Sequence, residues 1–251
     1  MRIAVGLVNV GLGLIYTSYG LMTIVDLKRG WRTNGLSHFG LAWIAMAFTC
    51  GPHHMDHGLT VLYHQAPGGS LDFMAVVVGA PAGVAWFLLR VEALRGGRGD
   101  RAVSGTPTLL RAVAWASGIY AAVFLVALYV TVRKSHHFTP RLTPNILLLG
   151  IYCVIGFYLL RTQLTNRAVT GGWSVSGLAL AIIFPTCGAM HALYQAYTVS
   201  GIYTATWHCL TIDWLAVPAA IYFVWVVRSL SLGSMTDWNL GAQGARLQVA
   251  G

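Results

Sequence analysis

The sequence predicts an all-α membrane protein of seven transmembrane helices, built as a 3+1+3 parallel internal repeat, with the amino terminus outside and the carboxyl terminus inside. Three observations predict it. Of 251 residues, 56% are hydrophobic and only 9% charged, with mean hydropathy +0.65; soluble domains carry about 25% charged residues. Apolar stretches recur at a length that crosses a bilayer. A motif, T-C-G-x-x-H, is written twice, ending at His54 and at His191.

The first span, 4–26, follows Met1-Arg2 like a signal anchor, but no A-x-A cleavage site follows, so it reads as a membrane helix. The second, 39–63, carries the first motif copy. The third, 71–90, contains Pro81, which should kink it. A basic, glycine-containing linker, Arg95-Gly96-Gly97-Arg98-Gly99-Asp100-Arg101, precedes the fourth span, 109–132. The fifth is 144–161. The sixth, 174–197, carries the second motif copy, and the seventh, 206–229, holds Pro218, expected to kink it at the depth of Pro81. The chain thus divides into repeat one (1–94), the linker and fourth helix (95–140), repeat two (141–232) and a cytoplasmic tail (233–251).

The motif copies are 191 − 54 = 137 residues apart. Without a gap, that offset also aligns Gly13 with Gly150, Leu27 with Leu164, Thr33 with Thr170, Gly35 with Gly172, Ser37 with Ser174, Gly40-Leu41-Ala42 with Gly177-Leu178-Ala179, and Pro81-Ala82 with Pro218-Ala219. One register held over so long a span, at uncommon residue types, reads as a duplication. The second and sixth spans cross in the same direction, so the halves should relate by a pseudo-two-fold axis along the membrane normal. The sugar-efflux transporters share this 3+1+3 count.

Lys and Arg set the orientation. Twelve (Lys28, Arg29, Arg32, Arg90, Arg95, Arg98, Arg101, Arg111, Arg161, Arg167, Arg228, Arg246) fall on the inner side of an amino-terminus-out topology, and four (Arg2, Arg133, Lys134, Arg141) on the outer side. The net charge of +9 is therefore a topology signal. It is spread over short loops rather than gathered in a patch, which excludes nucleic acid as a partner. The expected surroundings are the lipid bilayer of the cell membrane, with other membrane subunits or a homo-oligomer as partners. No lysine lies within a span, which excludes a retinal Schiff base, and no nucleotide-binding or nucleophile-elbow motif is present.

Cys50, His54 and His57 share one helical face at i, i+4 and i+7; Cys187 shares a face with His191, and Cys209 with Asp213. His208 lies at the same depth, and Asp72 opens the third span there. His53 points about a quarter-turn away and is the weaker candidate of its pair. Ionisable groups inside a bilayer face the bundle interior and pair with something. Imidazole and thiolate suit copper or zinc. The expected metal ligands are therefore His54, His57, His191 and His208, with Cys50, Cys187 and Cys209 as further ligands or as partners that orient an imidazole. Asp56 and Asp213 are the candidate catalytic proton acceptors if the centre is an oxidoreductase or a hydrolase.

Two other readings compete. His54 and His191 are placed to be axial ligands of a haem b in an electron-transfer protein. A transporter would use the pseudo-symmetric cleft as its path. A plain alternative is that the histidines only hydrogen-bond between helices packed closely over Gly51, Gly58, Gly188 and Ala189. His38 is expected in solvent at the inner end of the second span, His136 and His137 in solvent in a charged outer loop, and His64 at the membrane interface rather than as a guard of an entry path. His53-His54-Met55-Asp56-His57 is similar to the histidine-and-aspartate signature of nickel/cobalt permeases, and Met190-His191 resembles the Met-His pairs of membrane copper-sensing domains. Either resemblance spans a few residues, and the chain is assigned to neither family.

Overall fold

A computed structural model describes residues 1–63, 66–134 and 143–238. His64, His136, His137, Arg141 and the tail beyond Trp238 lie outside the described residues. The helices are α1 (Arg2–Asn34), α2 (His38–Leu62), α3 (Ser70–Val77) continued by α4 (Gly79–Leu94), α5 (Pro107–Lys134), α6 (Thr143–Asn166), α7 (Val175–Val199) and α8 (Trp207–Ser231). With α3 and α4 taken as one segment, seven helices are present among the described residues. Six of them are long and apolar enough to cross a membrane. The exception is α2, which at 25 residues is as long as α7 and α8 but carries three histidines and an aspartate within five positions. Two short strands, β1 (Ala102–Val103) and β2 (Trp173–Ser174), pair antiparallel and tie the linker to the start of α7.

The two expected proline kinks differ. Pro81 deprives the carbonyl four residues earlier of its donor, and the helix breaks there, between Val77 and Gly79. Pro218 sits inside an unbroken α8. The break also brings Gly79 close against Thr186 of α7, where a Cβ would collide with the threonine side chain.

Contacts between helices repeat in a regular way. α1 packs on α2 and on α4; α6 packs on α7 and on α8. α4 packs on α7, and α8 packs on α2. Exchanging α1 with α6, α2 with α7, and α4 with α8 leaves this pattern unchanged. α5 stands outside it, against α7 and α3.

The helix ends follow the same exchange. Ser37 caps α2 by accepting from Gly40 N, and Ser174 caps α7 by accepting from Gly177 N. Asp237, beyond α8, accepts from Phe39 N at 2.6 Å, while Asp100, beyond α4, accepts from Ser176 N at 2.9 Å. Each carboxylate meets the positive end of a helix on the other side of α5 in the chain. α4 and α8 close alike, with Gly96 and Gly233 at φ 86° and 69°. Gly97 N donates to Glu92 O, and Ser234 N to Ser229 O. A positive φ favours glycine at both stops. All these pairs are 137 apart.

α1 and α6 depart from the expected alignment by one residue. Gly13 is buried against Gly51 and Met55 of α2, whereas Gly150 is exposed with open space around it. The buried faces coincide instead at 145 − 9 = 136, which matches Asn9, Leu12, Tyr16 and Gly20 with Asn145, Leu148, Tyr152 and Gly156. Burial selects this register, because only those side chains meet the neighbouring helix.

Between α1, α2, α4, α7 and α8, toward the end where α2 and α7 begin, Tyr19, Trp43, Trp86, Phe184 and Phe223 form a contiguous aromatic floor. Its ring centroids lie 4.4–5.9 Å apart, the range of favourable edge and offset packing. The polar cluster lies above it, from the helix midpoints toward the end where α3 and α8 begin.

Candidate metal centre

His53 of α2, His191 of α7 and Asp213 of α8 form one buried group, their ligand-type atoms all within 4.8 Å of one another. His53 Nδ1 lies 2.9 Å from Asp213 Oδ1. Neither atom makes a hydrogen bond, and His53 Nε2 is also without a hydrogen-bond partner. The pair is thus close in distance and misaligned in angle. A buried polar atom left without a hydrogen bond costs about 1–3 kcal/mol, and this group could hold a metal ion.

Asn145 of α6 orients two of the three. Its Oδ1 lies 2.7 Å from His191 Nδ1, and its Nδ2 donates to Asp213 Oδ2 at 3.5 Å. With the amide nitrogen directed at the carboxylate, the amide oxygen must accept, so His191 Nδ1 carries the proton. The lone pair is left on Nε2. This is how a metal-binding imidazole is commonly fixed by a neighbour.

The same device recurs at His54. Asn9 Nδ2 donates to Val5 O at 2.9 Å, so Asn9 Oδ1 accepts from His54 Nδ1, also at 2.9 Å. The free Nε2 of His54 faces Cys187 Sγ at 3.5 Å. Tyr16 packs edge-on to His54, and Tyr152 tilts over His191. Cys50 Sγ lies 3.3 Å from Tyr152 Oη. A small cavity with room for about one water molecule lies among Cys50, His53, His54, Cys187 and His191.

Comparison with protein-family models, curated proteins and solved structures finds no match to this chain.

Of the residues expected from sequence, His54, His191, Cys50 and Cys187 meet around that cavity, and Asp213 joins through His53. His57 is buried, but its Nε2 is engaged by Tyr194 Oη at 2.6 Å. His208 is half-exposed and paired with Asp56 at 2.8 Å, apart from the His53 group. Cys209 is a buried free thiol in the first turn of α8 and is not among the residues that line the cavity. Asp72 accepts from Tyr197 Oη at 2.7 Å and from Gly69 N. His38 is not free in solvent: its Nδ1 lies 2.9 Å from Tyr222 Oη, and its ring meets Trp225 edge-on.

His53 is the residue that face-counting ranked too low. α2 is covered by α1 on one side and α8 on the other, so two of its faces point inward. His54 takes the α1 side and His53 the α8 side. The adjacent His-His doublet was itself the signal, since a helix wrapped on two sides can bury both.

Proposed function

We propose that this is a multi-pass protein of the cell membrane, amino terminus outside, whose His53–His191–Asp213 group binds a divalent transition metal, copper or zinc, for oxidoreductase or hydrolase chemistry or for a larger membrane complex. One observation carries the reading: three ligand-type side chains from three helices converge in the interior with His53 and Asp213 atoms lacking hydrogen bonds. Two nitrogens and one carboxylate oxygen suit zinc or copper(II). Three protein ligands leave a fourth position open for water or substrate, which is the arrangement of a catalytic rather than a structural site. The His208–Asp56 pair, partly exposed at the end where α8 begins, would serve as the proton acceptor on the approach.

We also infer that the chain is a duplication of a three-helix unit joined by α5. The exchange-invariant packing, the crossed Asp100 and Asp237 caps and the matched Asn–His pairs support it.

A haem between His54 and His191 has less support. His54 Nε2 is met by Cys187, and the cavity they share admits about one water, not a macrocycle. Transport of the metal is the second reading, favoured by the position of Cys50 and Cys187 at the midpoints of α2 and α7, between the two halves.

Elemental analysis of the purified full chain tests the metal reading. About one zinc or copper per chain is expected, lost in His191→Ala and in Asp213→Ala. Stoichiometric metal in both variants, or none in the unmutated protein after metal loading, overturns it.

A further inference from the structure

We propose that Cys50, Cys187 and His54 form a second metal position, for a soft monovalent cation of the copper(I) or silver(I) class, separate from the His53–His191–Asp213 group. The two positions adjoin across the cavity lined by Cys50, His53, His54, Cys187 and His191 but use different ligand atoms.

Placement comes first. Cys50 and Cys187 are each the thirteenth residue of a 25-residue helix, and both are buried as free thiols. Both line the same two small cavities and form a shared wall between them: the one that holds the histidines, and a second bounded by Tyr16, Trp43 and Met46.

A buried cysteine is ordinarily a small apolar side chain. These two are surrounded by polar partners instead. Tyr152 Oη lies 3.3 Å from Cys50 Sγ, and His54 Nε2 lies 3.5 Å from Cys187 Sγ. Tyr16, which matches Tyr152 at the 136-residue offset, lines the second cavity with Cys187 and Cys50, yet its buried hydroxyl has no hydrogen-bond partner. Two neutral thiols have little need of two phenolic donors. Two thiolates holding a cation accept both, one hydroxyl on each sulfur, as the partners of metal ligands usually do.

The ligand types then select the ion. Two sulfurs and one imidazole, with no carboxylate in the trio, favour a soft cation at low coordination number. Met46, buried in the second cavity, adds a thioether of the same preference. The Asn9 contact keeps His54 Nε2 unprotonated and available. Binding exchanges the Cys50 and Cys187 thiol protons for one M⁺, releases two protons, and needs no electron donor or acceptor.

Silver(I), redox-inert and thiophilic, is the probe. Titrated into the purified full chain, it is expected to bind once with high affinity, and X-ray absorption at the silver edge should show two sulfurs and one nitrogen. Cys50→Ala/Cys187→Ala should weaken silver binding beyond the roughly 10–100-fold that an outer-shell change causes, while zinc binding persists. His53→Ala/Asp213→Ala should do the reverse. Failure of zinc alone sinks the divalent site and leaves this one standing. Silver retained in the double-cysteine variant, or a nitrogen- and oxygen-only shell in the unmutated protein, overturns the proposal; the spectrum decides even if the variant does not fold.

Discussion

At the scale of single residues, Asn145 is the sharpest point of leverage. It touches His191 and Asp213 but offers no ligand to the ion itself, so its effect is to hold an imidazole tautomer and a carboxylate rotamer. Asn145→Ala is expected to weaken zinc binding roughly 10–100-fold while leaving silver binding unchanged, measured by competition with a chromogenic chelator. Equal weakening of both ions would mean a general loosening of the bundle. Residue types and spacing were enough to point at Cys50, His54, Cys187, His191 and Asp213 in the sequence. They were not enough to rank His53 above His57, because helical spacing reports one face at a time. Which face matters depends on neighbours, and neither α8 against His53 nor Tyr194 against His57 is visible from α2 alone. Asn9 and Asn145 escaped for a related reason. An asparagine in an apolar helix has no meaning until its partner is known.

At the scale of elements, the spans were legible to within a few residues except for α1, which runs on to Asn34, because a buried apolar helix ends where polar loop chemistry begins. The crossed caps were not legible, since Asp100 and Asp237 act on helices more than seventy residues away in sequence. Both carboxylates accept a backbone N–H in the first turn of a helix, where replacing a side-chain cap with alanine costs about 0.5–2 kcal/mol. Asp100→Ala and Asp237→Ala are therefore expected to lower thermal stability in detergent by similar amounts, and the double variant by their sum, because the sites share no partner. A destabilising Asp237→Ala beside a silent Asp100→Ala would show that the two caps are not equivalent. The register shift in α1 and α6 belongs to this scale too. Identical residue letters favoured an offset of 137, but burial decides which side chains correspond, and it selects 136.

At the scale of the whole molecule, two asymmetries point the same way. Among the described residues, Lys28, Arg29, Arg32, Arg90, Arg95, Arg98, Arg101, Arg111, Arg161, Arg167 and Arg228 gather toward the end where α2 and α7 begin, leaving Arg2, Arg133 and Lys134 at the other. In the proposed orientation, positive charge of that bias faces the cytoplasm. The polar route follows the opposite gradient. Above the aromatic floor, side chains become more hydrophilic, from Cys50 and Cys187 through His53 and Asp213, all four buried, to the partly exposed Asp56–His208 pair. Below that floor, Trp43, Trp86, Phe184 and Phe223 close the interior. A metal held by His53, His191 and Asp213 should therefore exchange with the outside and not with the cytoplasm. A membrane-impermeant chelator is expected to strip zinc from the protein in right-side-out vesicles and to leave it bound in inverted ones. Closing the route with Asp56→Leu, which replaces its charged gate by an apolar side chain, should slow stripping without lowering equilibrium affinity. Zinc lost only from inverted vesicles would reverse the topology. Equal loss from both would mean that the aromatic floor does not seal, the result expected of a transporter that opens to each side in turn.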